Sequence, residues 1–237
     1  MDSNLIYDIG FHVGQDTDFY LRKGFRVLAV DANPLLIEEG RVKFLDVIEA
    51  GSLKLINIGV GDVDGKLPFY INTKLSEWSS FDSKIGTGRG DYEILEVIII
   101  PLRSLFVEHG CPYYLKIDIE GYDLAAIKSL RGLADMPKYI SVENGQSIVI
   151  EELFSQGYHK FKFVNQANMQ NVVLPFPAKE GSYVAHKFPF GASGPFGEEV
   201  DGPWLSREQV LALSHSYWNN PELDANIHGW FDLHASR

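Results

Sequence analysis

The sequence has little cysteine, little basic charge and no long hydrophobic run, and each shortage excludes a class of protein. Cys111 is the single cysteine, so no disulfide can form within the chain. No uninterrupted apolar run is longer than that at Val97 to Ile100, which is far shorter than the ~20 residues of a membrane-spanning helix. The first residues have neither the basic nor the apolar region of a signal peptide. We therefore expect a soluble, cytoplasmic protein that does not act at a membrane.

Basic residues are outnumbered by acidic ones. The chain has 21 Lys and Arg against 32 Asp and Glu, which gives a formal net charge of -11. Proteins that bind nucleic acid neutralise phosphates with a basic patch or stripe, and this composition offers none. We expect a small-molecule partner and no nucleic acid.

The distribution of apolar residues predicts an α/β fold. The 237 residues, 45% of them apolar, are enough for one globular domain, and we assign 1–237 to a single domain. Short runs of Ile, Val and Leu alternate with longer mixed segments, which is typical of buried parallel strands joined by helices. The runs predict strands at Leu5–Ile9, Arg26–Val30, Leu53–Ile58, Leu67–Asn72, Val97–Ile100, Tyr113–Ile117, Tyr139–Val142 and His159–Val164.

Two segments lack regular periodicity. Thr73–Asp91 is polar with scattered aromatic residues, and it predicts a loop that covers the site. Pro175–Leu205 holds five prolines, five glycines and six aromatic residues, which favours an ordered but irregular path over the surface. We therefore divide the domain into a core, 1–174, and a C-terminal extension packed on it, 175–237.

The residues that follow the first two strands predict a nucleotide-derived cofactor. Ligands of parallel α/β sheets bind outside the carboxyl ends of the strands. Gly10 and Gly14 allow a ligand to approach the backbone closely, at the start of a helix whose N-terminal amides are free. Asp31 ends the second strand, 23 residues after Asp8, where a carboxylate can bind ribose hydroxyls.

The same turn favours S-adenosylmethionine over a dinucleotide. Its Gly-x-x-x-Gly spacing differs from the Gly-x-Gly-x-x-Gly of dinucleotide sites, and Asp16 and Asp18 follow with no Lys or Arg in the turn. These carboxylates would repel a pyrophosphate but tolerate a sulfonium and an amino group. Asp31 still permits an NAD-dependent oxidoreductase or epimerase of Rossmann type, and a non-catalytic cofactor-binding protein is a third possibility.

Four segments resemble the FkbM family of S-adenosylmethionine-dependent methyltransferases: YDIGFHVGQDTDFYLRKGF, VLAVDANP, INIGVGDVDGKLPFY and YLKIDIEGYDLAAIKSL. The last is similar to the family's Lys-Ile-Asp-x-Glu-Gly signature, here Lys116–Gly121. Where the family often has Gly-Ala-Asn in the first turn, this chain has Gly10-Phe11-His12. The resemblance implies a class I methyltransferase fold, that is, a Rossmann-like, doubly wound, mostly parallel seven-stranded sheet with helices on both faces.

The resemblance also implies an activity and a set of site residues. The activity is transfer of a methyl group to a hydroxyl oxygen of a sugar or another small metabolite. Asp8, Gly10 and Gly14 would surround the methionine part of the cofactor. Asp31, with Ala32 beside it, would bind the ribose, and Asn57 and Asp62 would lie on the adenine side.

Carboxylates are the leading candidates for the catalytic group. Asp118 and Glu120 would face the reacting centre, and Glu143 follows the next core strand closely enough to join them. One of them is predicted to orient the acceptor hydroxyl and take its proton, with His12 as the rival base. We expect no metal, because the sequence has no metal-binding loop such as an EF-hand spacing.

Structural roles remain open beside these functional ones. Lys116 is expected to neutralise the acidic cluster. Asn33 before a proline suits a helix N-cap, and Asp62 suits a turn. Glu120 can serve as a charge at a helix N-terminus, and His12 as a turn residue.

Overall fold

A computed structural model describes residues 1–88, 90–143, 145–219 and 230–237. Its strands are β1 (Asp2–Ile9), β2 (Arg26–Asp31), β3 (Leu53–Asn57), β4 (Gly59–Gly61), β5 (Gly65–Asn72), β6 (Tyr92–Pro101), β7 (Pro112–Ile117), β8 (Tyr139–Glu143), β9 (Lys160–Asn165) and β10 (Phe231–Ser236). Its α-helices are α1 (Gln15–Arg22), α2 (Pro34–Lys43), α3 (Leu45–Glu49), α4 (Ser83–Gly86), α5 (Leu102–His109), α6 (Asp123–Ser129), α7 (Ser147–Ser155) and α8 (Arg207–Trp218).

The strand order confirms the predicted class I methyltransferase architecture. The described residues form a seven-stranded sheet in the order β3-β2-β1-β7-β8-β10-β9. The pairs from β3 to β8 are parallel, and β10 runs antiparallel to both of its neighbours. The order reverses at β1, which places the carboxyl ends of β1, β2 and β7 around a crevice where ligands of such sheets bind.

Helices cover both faces of this sheet. Side chains of Tyr7, Ile9 and Ile117 belong to a buried cluster that also includes residues of α5, α6, α7 and α8. The opposite face, with Ile6 and Tyr114, packs against α1, α2 and the C-terminal extension. Since both faces are covered, the parallel strands consist mostly of apolar residues, with exceptions such as Asp8 in β1 and Lys116 in β7, and this explains why they were recognisable in the sequence.

Two strands differ from the sequence prediction. The segment predicted as a core strand at Val97–Ile100 is part of β6, which pairs with β4 and β5 in a separate three-stranded sheet of the described residues. The last strand added to the main sheet, β10, comes from the extension, where no strand was predicted. Its sequence FDLHAS alternates polar with apolar residues, and Asp232 and His234 are buried only because β8 and β9 flank it.

The extension is tightly packed on the α1 face. The Phe196 ring stacks on Tyr114 of β7 with the ring centroids 4.3 Å apart. Lys23, at the end of α1, forms a buried ion pair with Glu199 at 2.8 Å. Apart from a 3-10 turn at Gly197–Glu199, the described structure shows no helix or named strand between 175 and 205, as the proline and glycine content predicted. Among the described helices, none is long and apolar enough to cross a membrane.

Candidate active site

A cavity of about 680 Å³ lies at the carboxyl ends of β1, β2, β7 and β8, within the part of the chain that the structure describes. Its volume is in the range of small-molecule and cofactor sites. Residues that are far apart in the sequence meet here, because the carboxyl ends of parallel strands lie along one edge of the sheet.

The turn after β1 depends on glycine at position 10. Gly10 has a φ of 97°, and a Cβ added there would overlap the carbonyl oxygen of Asp118. The amides of Gly10 and Phe11 both donate to the carbonyl of Val30, at 2.9 Å each. The ends of β1, β2 and β7 are therefore held at close backbone distance, and this contact forms one wall of the cavity.

Asp31 holds the second turn and faces the cavity. Its carboxylate accepts hydrogen bonds from the backbone amides of His12 and Asn33, each at 2.8 Å. Burial raises the pKa of Asp31, and these two amides oppose the increase. The Asn57 side chain donates to the carbonyl oxygens of Asp31 and Ala32, at 3.0 and 3.2 Å, so that it supports this turn from behind.

An apolar slot continues from Asp31. It is lined by Ala32, Leu36, Ile58, Val60, Phe69 and Phe81. A Cβ at Gly59 would overlap the Phe81 ring, so the small residue there leaves room for the ring to close the slot. This slot lies between the turn after β2 and the three-stranded sheet. A flat apolar group fits in it.

Three carboxylates form an acidic cluster beyond β7 and β8. Asp118, Glu120 and Glu143 each offer an oxygen, and these oxygens lie within 4.8 Å of one another. Burial, followed by the charges of Asp118 and Glu120, raises the pKa of Glu143 well above its ordinary value. Glu120 has a left-handed φ of 47°, and its carbonyl accepts a hydrogen bond from the Ser80 hydroxyl at 2.6 Å.

Lys116 balances part of this charge, as predicted. Its buried ammonium lies 3.1 Å from Asp8 and 3.7 Å from both Asp16 and Asp118. Burial alone would lower the pKa of Lys116, but Asp8, Asp118 and Asp16 together raise it. The ammonium also donates to the carbonyl of Gly10 at 3.2 Å, so it ties the first turn to the acidic cluster.

His12 connects the first turn to the covering segment. Its ring Nε2 lies 2.9 Å from the Ser76 hydroxyl, and its backbone φ is 49°. Ser76 and Trp78, in a 3-10 turn at Ser76–Trp78, line the cavity together with His12. The predicted loop at Thr73–Asp91 therefore contributes a wall of the cavity.

Seven of the eleven residues predicted from the sequence line the cavity within the described structure: Gly10, His12, Asp31, Ala32, Asp118, Glu120 and Glu143. Asp8, Gly14, Asn57 and Asp62 do not. Asp8 is buried beneath the turn, where it accepts from Thr17 and Lys116. Gly14 is the N-cap residue that precedes α1, and it lies close to the rings of Phe11 and Phe44. Asp62 is exposed beyond the end of β4. Asp8, Gly14 and Asn57 thus support the walls of the cavity and Asp62 lies outside it, and contacts of these four with the cofactor remain a prediction.

Sequence reasoning missed several cavity residues. Gln166, Phe190 and Trp230 line the end of the cavity next to Glu143. Gln166 follows β9, so the rule that ligands bind beyond strand ends would have found it. Phe190 and Trp230 lie in segments without periodicity, and nothing local distinguishes them from packing aromatics.

Asp16 was also missed as a buried group, and it predicts a pH-dependent stability. Its carboxylate accepts from the Ser193 amide at 3.0 Å, and burial raises its pKa to about 6 despite the opposing charge of Lys116. The folded state therefore holds this proton more tightly than the unfolded chain, so stability is lost as the pH rises through the window from about 4 to about 6.

We expect the Asp16→Asn variant to become more stable relative to the wild type as the pH rises. The difference in unfolding temperature between variant and wild type should move in favour of Asn by a few degrees between pH 4 and pH 7, measured by calorimetry. Asp18→Asn, on the same helix but paired with Arg22 at the surface, is the control. A temperature difference that stays constant with pH for Asp16→Asn would contradict this prediction.

The sequence matches a family model described as "Methyltransferase FkbM domain" over residues 8–170. A search of the curated proteins finds no match. Among solved structures, the methyltransferase FkbM from Methylobacillus flagellatus KT is 15% identical, with a TM-score of 0.47 over 69% of this chain and 40% of that chain. The chain therefore spans less than half the length of that protein.

Two further solved structures also match this chain. The precorrin-6y C5,15-methyltransferase from Geobacter metallireducens GS-15 is 13% identical, with a TM-score of 0.41 over 100% of this chain and 81% of that chain. The N-terminal domain of human METTL16 in complex with SAH is 14% identical, with a TM-score of 0.38 over 69% of this chain and 56% of that chain.

Proposed function

Because the chain belongs to the FkbM methyltransferase family, we propose that it is an S-adenosylmethionine-dependent O-methyltransferase whose acceptor is a hydroxyl group of a small metabolite or sugar. The observation that carries this proposal is that Gly10 and Asp31 line one end of a cavity and the acidic cluster lines the other end. The first end suits a nucleoside, and the second offers carboxylates to a hydroxyl group.

The residues present fit S-adenosylmethionine better than a dinucleotide. Lys116 is the one Lys or Arg among the described residues that line the cavity, and it is engaged with three carboxylates. A pyrophosphate would find no free cation here, whereas a sulfonium and an amino group are compatible with an acidic wall. This argues against the NAD-dependent alternative.

Different residues would bind different parts of the cofactor. Asp31 would accept hydrogen bonds from the ribose hydroxyls, since its carboxylate faces the cavity and is already fixed by two amides. The apolar slot from Ala32 to Phe81 would hold the adenine. Gly10 and Gln15 line the wall nearest to the methionine part. When bound, the cofactor supplies an activated methyl group, so the protein mainly has to align the acceptor and remove its proton.

Glu143 is our choice for the proton acceptor. A general base is most effective when its pKa lies near the working pH, and the raised pKa of Glu143 moves it in that direction. The hydroxyl proton would pass to a Glu143 carboxylate oxygen as the acceptor oxygen attacks. Asp118 and Glu120 would hold neighbouring hydroxyl groups and keep the pKa of Glu143 raised.

Calorimetric measurement of S-adenosylhomocysteine binding tests the cofactor assignment. We expect micromolar binding of this product cofactor and none of NAD. Asp31→Ala should weaken it by ~1.5–3 kcal/mol, which is the range for a lost charge-assisted hydrogen bond and the groups left unpaired. The Asp31→Asn variant keeps one acceptor oxygen for the two backbone amides. It replaces the alanine variant in this test if the alanine variant does not fold.

The matched control is Asp62→Ala. Asp62 was also a candidate for the cofactor site, but it is exposed outside the cavity. Its loss should leave the affinity for S-adenosylhomocysteine unchanged. An affinity that falls equally in the Asp31 and Asp62 variants, or NAD binding more tightly than S-adenosylhomocysteine, would refute the proposed cofactor site.

A further inference from the structure

The covering segment, Thr73–Asp91, packs directly on the turn that follows β7. The ring of Phe81 lies against that of Tyr122, with the centroids 5.3 Å apart. Gly121 has a φ of 94°, and a Cβ added there would come within 2.8 Å of the Ile85 side chain in α4. The turn and the covering segment therefore meet at a point where only a glycine leaves enough room.

Ser80 makes a polar contact between these two parts of the chain. It is fully buried, and its hydroxyl donates to the backbone carbonyl of Glu120 at 2.6 Å. The same hydroxyl accepts from the Asp82 amide at 2.9 Å. The backbone amide and carbonyl of Ser80 both bond to Tyr70 of β5, at 3.0 and 2.9 Å. The donor that reaches Glu120 is thus held by the three-stranded sheet.

Glu120 has a backbone conformation that requires support. Its φ of 47° is in the left-handed region, which is unfavourable for a residue with a side chain and persists only where the surroundings hold it. The Asp123 carboxylate accepts from the amides of Ile119 and Gly121, at 3.2 and 3.1 Å. The peptide group between Glu120 and Gly121 is therefore held at its amide by Asp123 and at its carbonyl by Ser80.

This conformation places the Glu120 carboxylate among other carboxylates. Its oxygen, with those of Asp118 and Glu143, belongs to the cluster in which all three lie within 4.8 Å of one another. Like charges this close repel each other, and partial burial strengthens the repulsion. An unsupported turn would relieve it by rotating the Glu120 side chain away. The arrangement of the cluster therefore depends on the bonds that hold the turn.

The same stretch of chain also reaches the cofactor end of the cavity. Phe81, which follows Ser80, lines the slot that we assign to the adenine. Ser76 bonds to the His12 ring at 2.9 Å. Ser80 itself is not among the described residues that line the cavity, so an effect of Ser80 on the reaction has to pass through a neighbour.

We propose that Ser80 is a positioning residue for methyl transfer, which fixes the peptide group after Glu120 and so holds the Glu120 carboxylate in the acidic cluster beside Glu143. Ser80 touches neither the substrate nor the cofactor in this role. The role rests on the proposed function, in which Glu143 accepts the hydroxyl proton. The placement of Glu120, however, can be measured without any acceptor.

The pKa of Glu143 reports where the Glu120 carboxylate lies. Burial makes the largest contribution to raising this pKa, followed by the charges of Asp118, Glu120, Asp232 and Asp123. If the Glu120 charge leaves the cluster, one of these contributions is lost. The pKa of Glu143 then falls toward its ordinary value.

A ¹³C NMR titration of the glutamate side-chain carboxyl groups tests the proposal on the full chain, and Glu143→Gln identifies the Glu143 signal. In Ser80→Ala the midpoint of the Glu143 titration should fall by about one pH unit, because the Glu120 charge is no longer held beside it. The affinity for S-adenosylhomocysteine, measured by calorimetry, should be unchanged. Ser80→Cys fills nearly the same space with a weak donor, so its midpoint should also fall, and it replaces the alanine variant if that variant does not fold.

Two comparisons show whether Ser80 acts through Glu120. In the Glu120→Gln background, which already lacks the charge, Ser80→Ala should cause no further fall in the Glu143 midpoint. Ser79→Ala is the matched control, since the Ser79 hydroxyl accepts from the Asn72 amide at 3.1 Å and so holds the same segment to β5. Its Glu143 midpoint should equal that of the wild type.

The outcomes separate this role from a structural one and from the proposed function. An unchanged Glu143 midpoint in the Ser80 variants, an equal fall in Ser79→Ala, or a further fall in the Glu120→Gln background would overturn the positioning role. A midpoint that falls together with a loss of S-adenosylhomocysteine binding would show that Ser80 only keeps the covering segment folded. Failure of the wild type to bind S-adenosylhomocysteine would instead overturn the proposed function, and the titration would still show whether Ser80 places Glu120.

Discussion

Glu143→Gln should lower kcat by about 10²–10⁴, the usual contribution of a general base, and leave S-adenosylhomocysteine affinity within a few-fold. The amide keeps the size of the side chain but cannot take a proton. Because burial and two neighbouring carboxylates raise the pKa of Glu143, wild-type kcat should increase with pH over a range above the ordinary pKa of glutamic acid. The variant should lose this increase.

The same substitution should stabilise the protein. A carboxyl group whose folded-state pKa is raised loses stability as the pH rises through that pKa. At pH 8 the Glu143→Gln variant, free of this repulsion, should therefore unfold at a higher temperature than the wild type. Opposite changes in activity and stability are typical of functional groups held at an energetic cost. Glu93→Gln, an exposed position on β6, is the control for both measurements.

Three results would contradict the assignment of the base to Glu143. If His12→Ala carried the large loss while Glu143→Gln stayed active, His12 would be the base. If Asp118→Asn or Glu120→Gln had the larger effect on kcat, the proton would pass to one of these carboxylates. If EDTA abolished activity and magnesium restored it, the cluster would bind a metal ion and the prediction of a metal-free site would be wrong.

Gly10→Ala should destabilise the protein by about 3–5 kcal/mol, in the upper part of the range for single substitutions, and abolish S-adenosylhomocysteine binding. Two effects add at this position. The φ of 97° is unfavourable for alanine, and the new Cβ would overlap the Asp118 carbonyl, a backbone atom that cannot move without separating β1 from β7. The Lys116 hydrogen bond to the Gly10 carbonyl would also be disturbed.

Gly51→Ala separates the two effects. Gly51 has a φ of 73°, and nothing lies within 4 Å of a Cβ added there. Its replacement should cost only the backbone strain, roughly 1–2 kcal/mol, and leave cofactor binding intact. Urea unfolding measures both changes. Equal losses of stability in the two variants would show that the close approach to Asp118 is unimportant.

The sequence by itself determined the parallel half of the fold and the cofactor end of the cavity. Strands buried on both faces are mostly apolar, so β1, β2, β7 and β8 were recognisable from local composition. Gly10 and Asp31 were recognisable because the turns at strand ends require specific residue types. These requirements are visible in a segment of a few residues. The order of the elements then brought them to one edge of the sheet.

Only the tertiary structure decided the other end of the cavity. Gln166 and Trp230 are 64 residues apart, and they meet because β10 inserts between β8 and β9. Asp16 is buried, and the Ser193 amide, 177 residues away, donates a hydrogen bond to its carboxylate. The raised pKa of Glu143 likewise depends on burial and on carboxylates from another strand end. Periodicity reports which residues share a face of one element. Burial and charge coupling depend on which elements pack together, and that is fixed by contacts between distant parts of the chain.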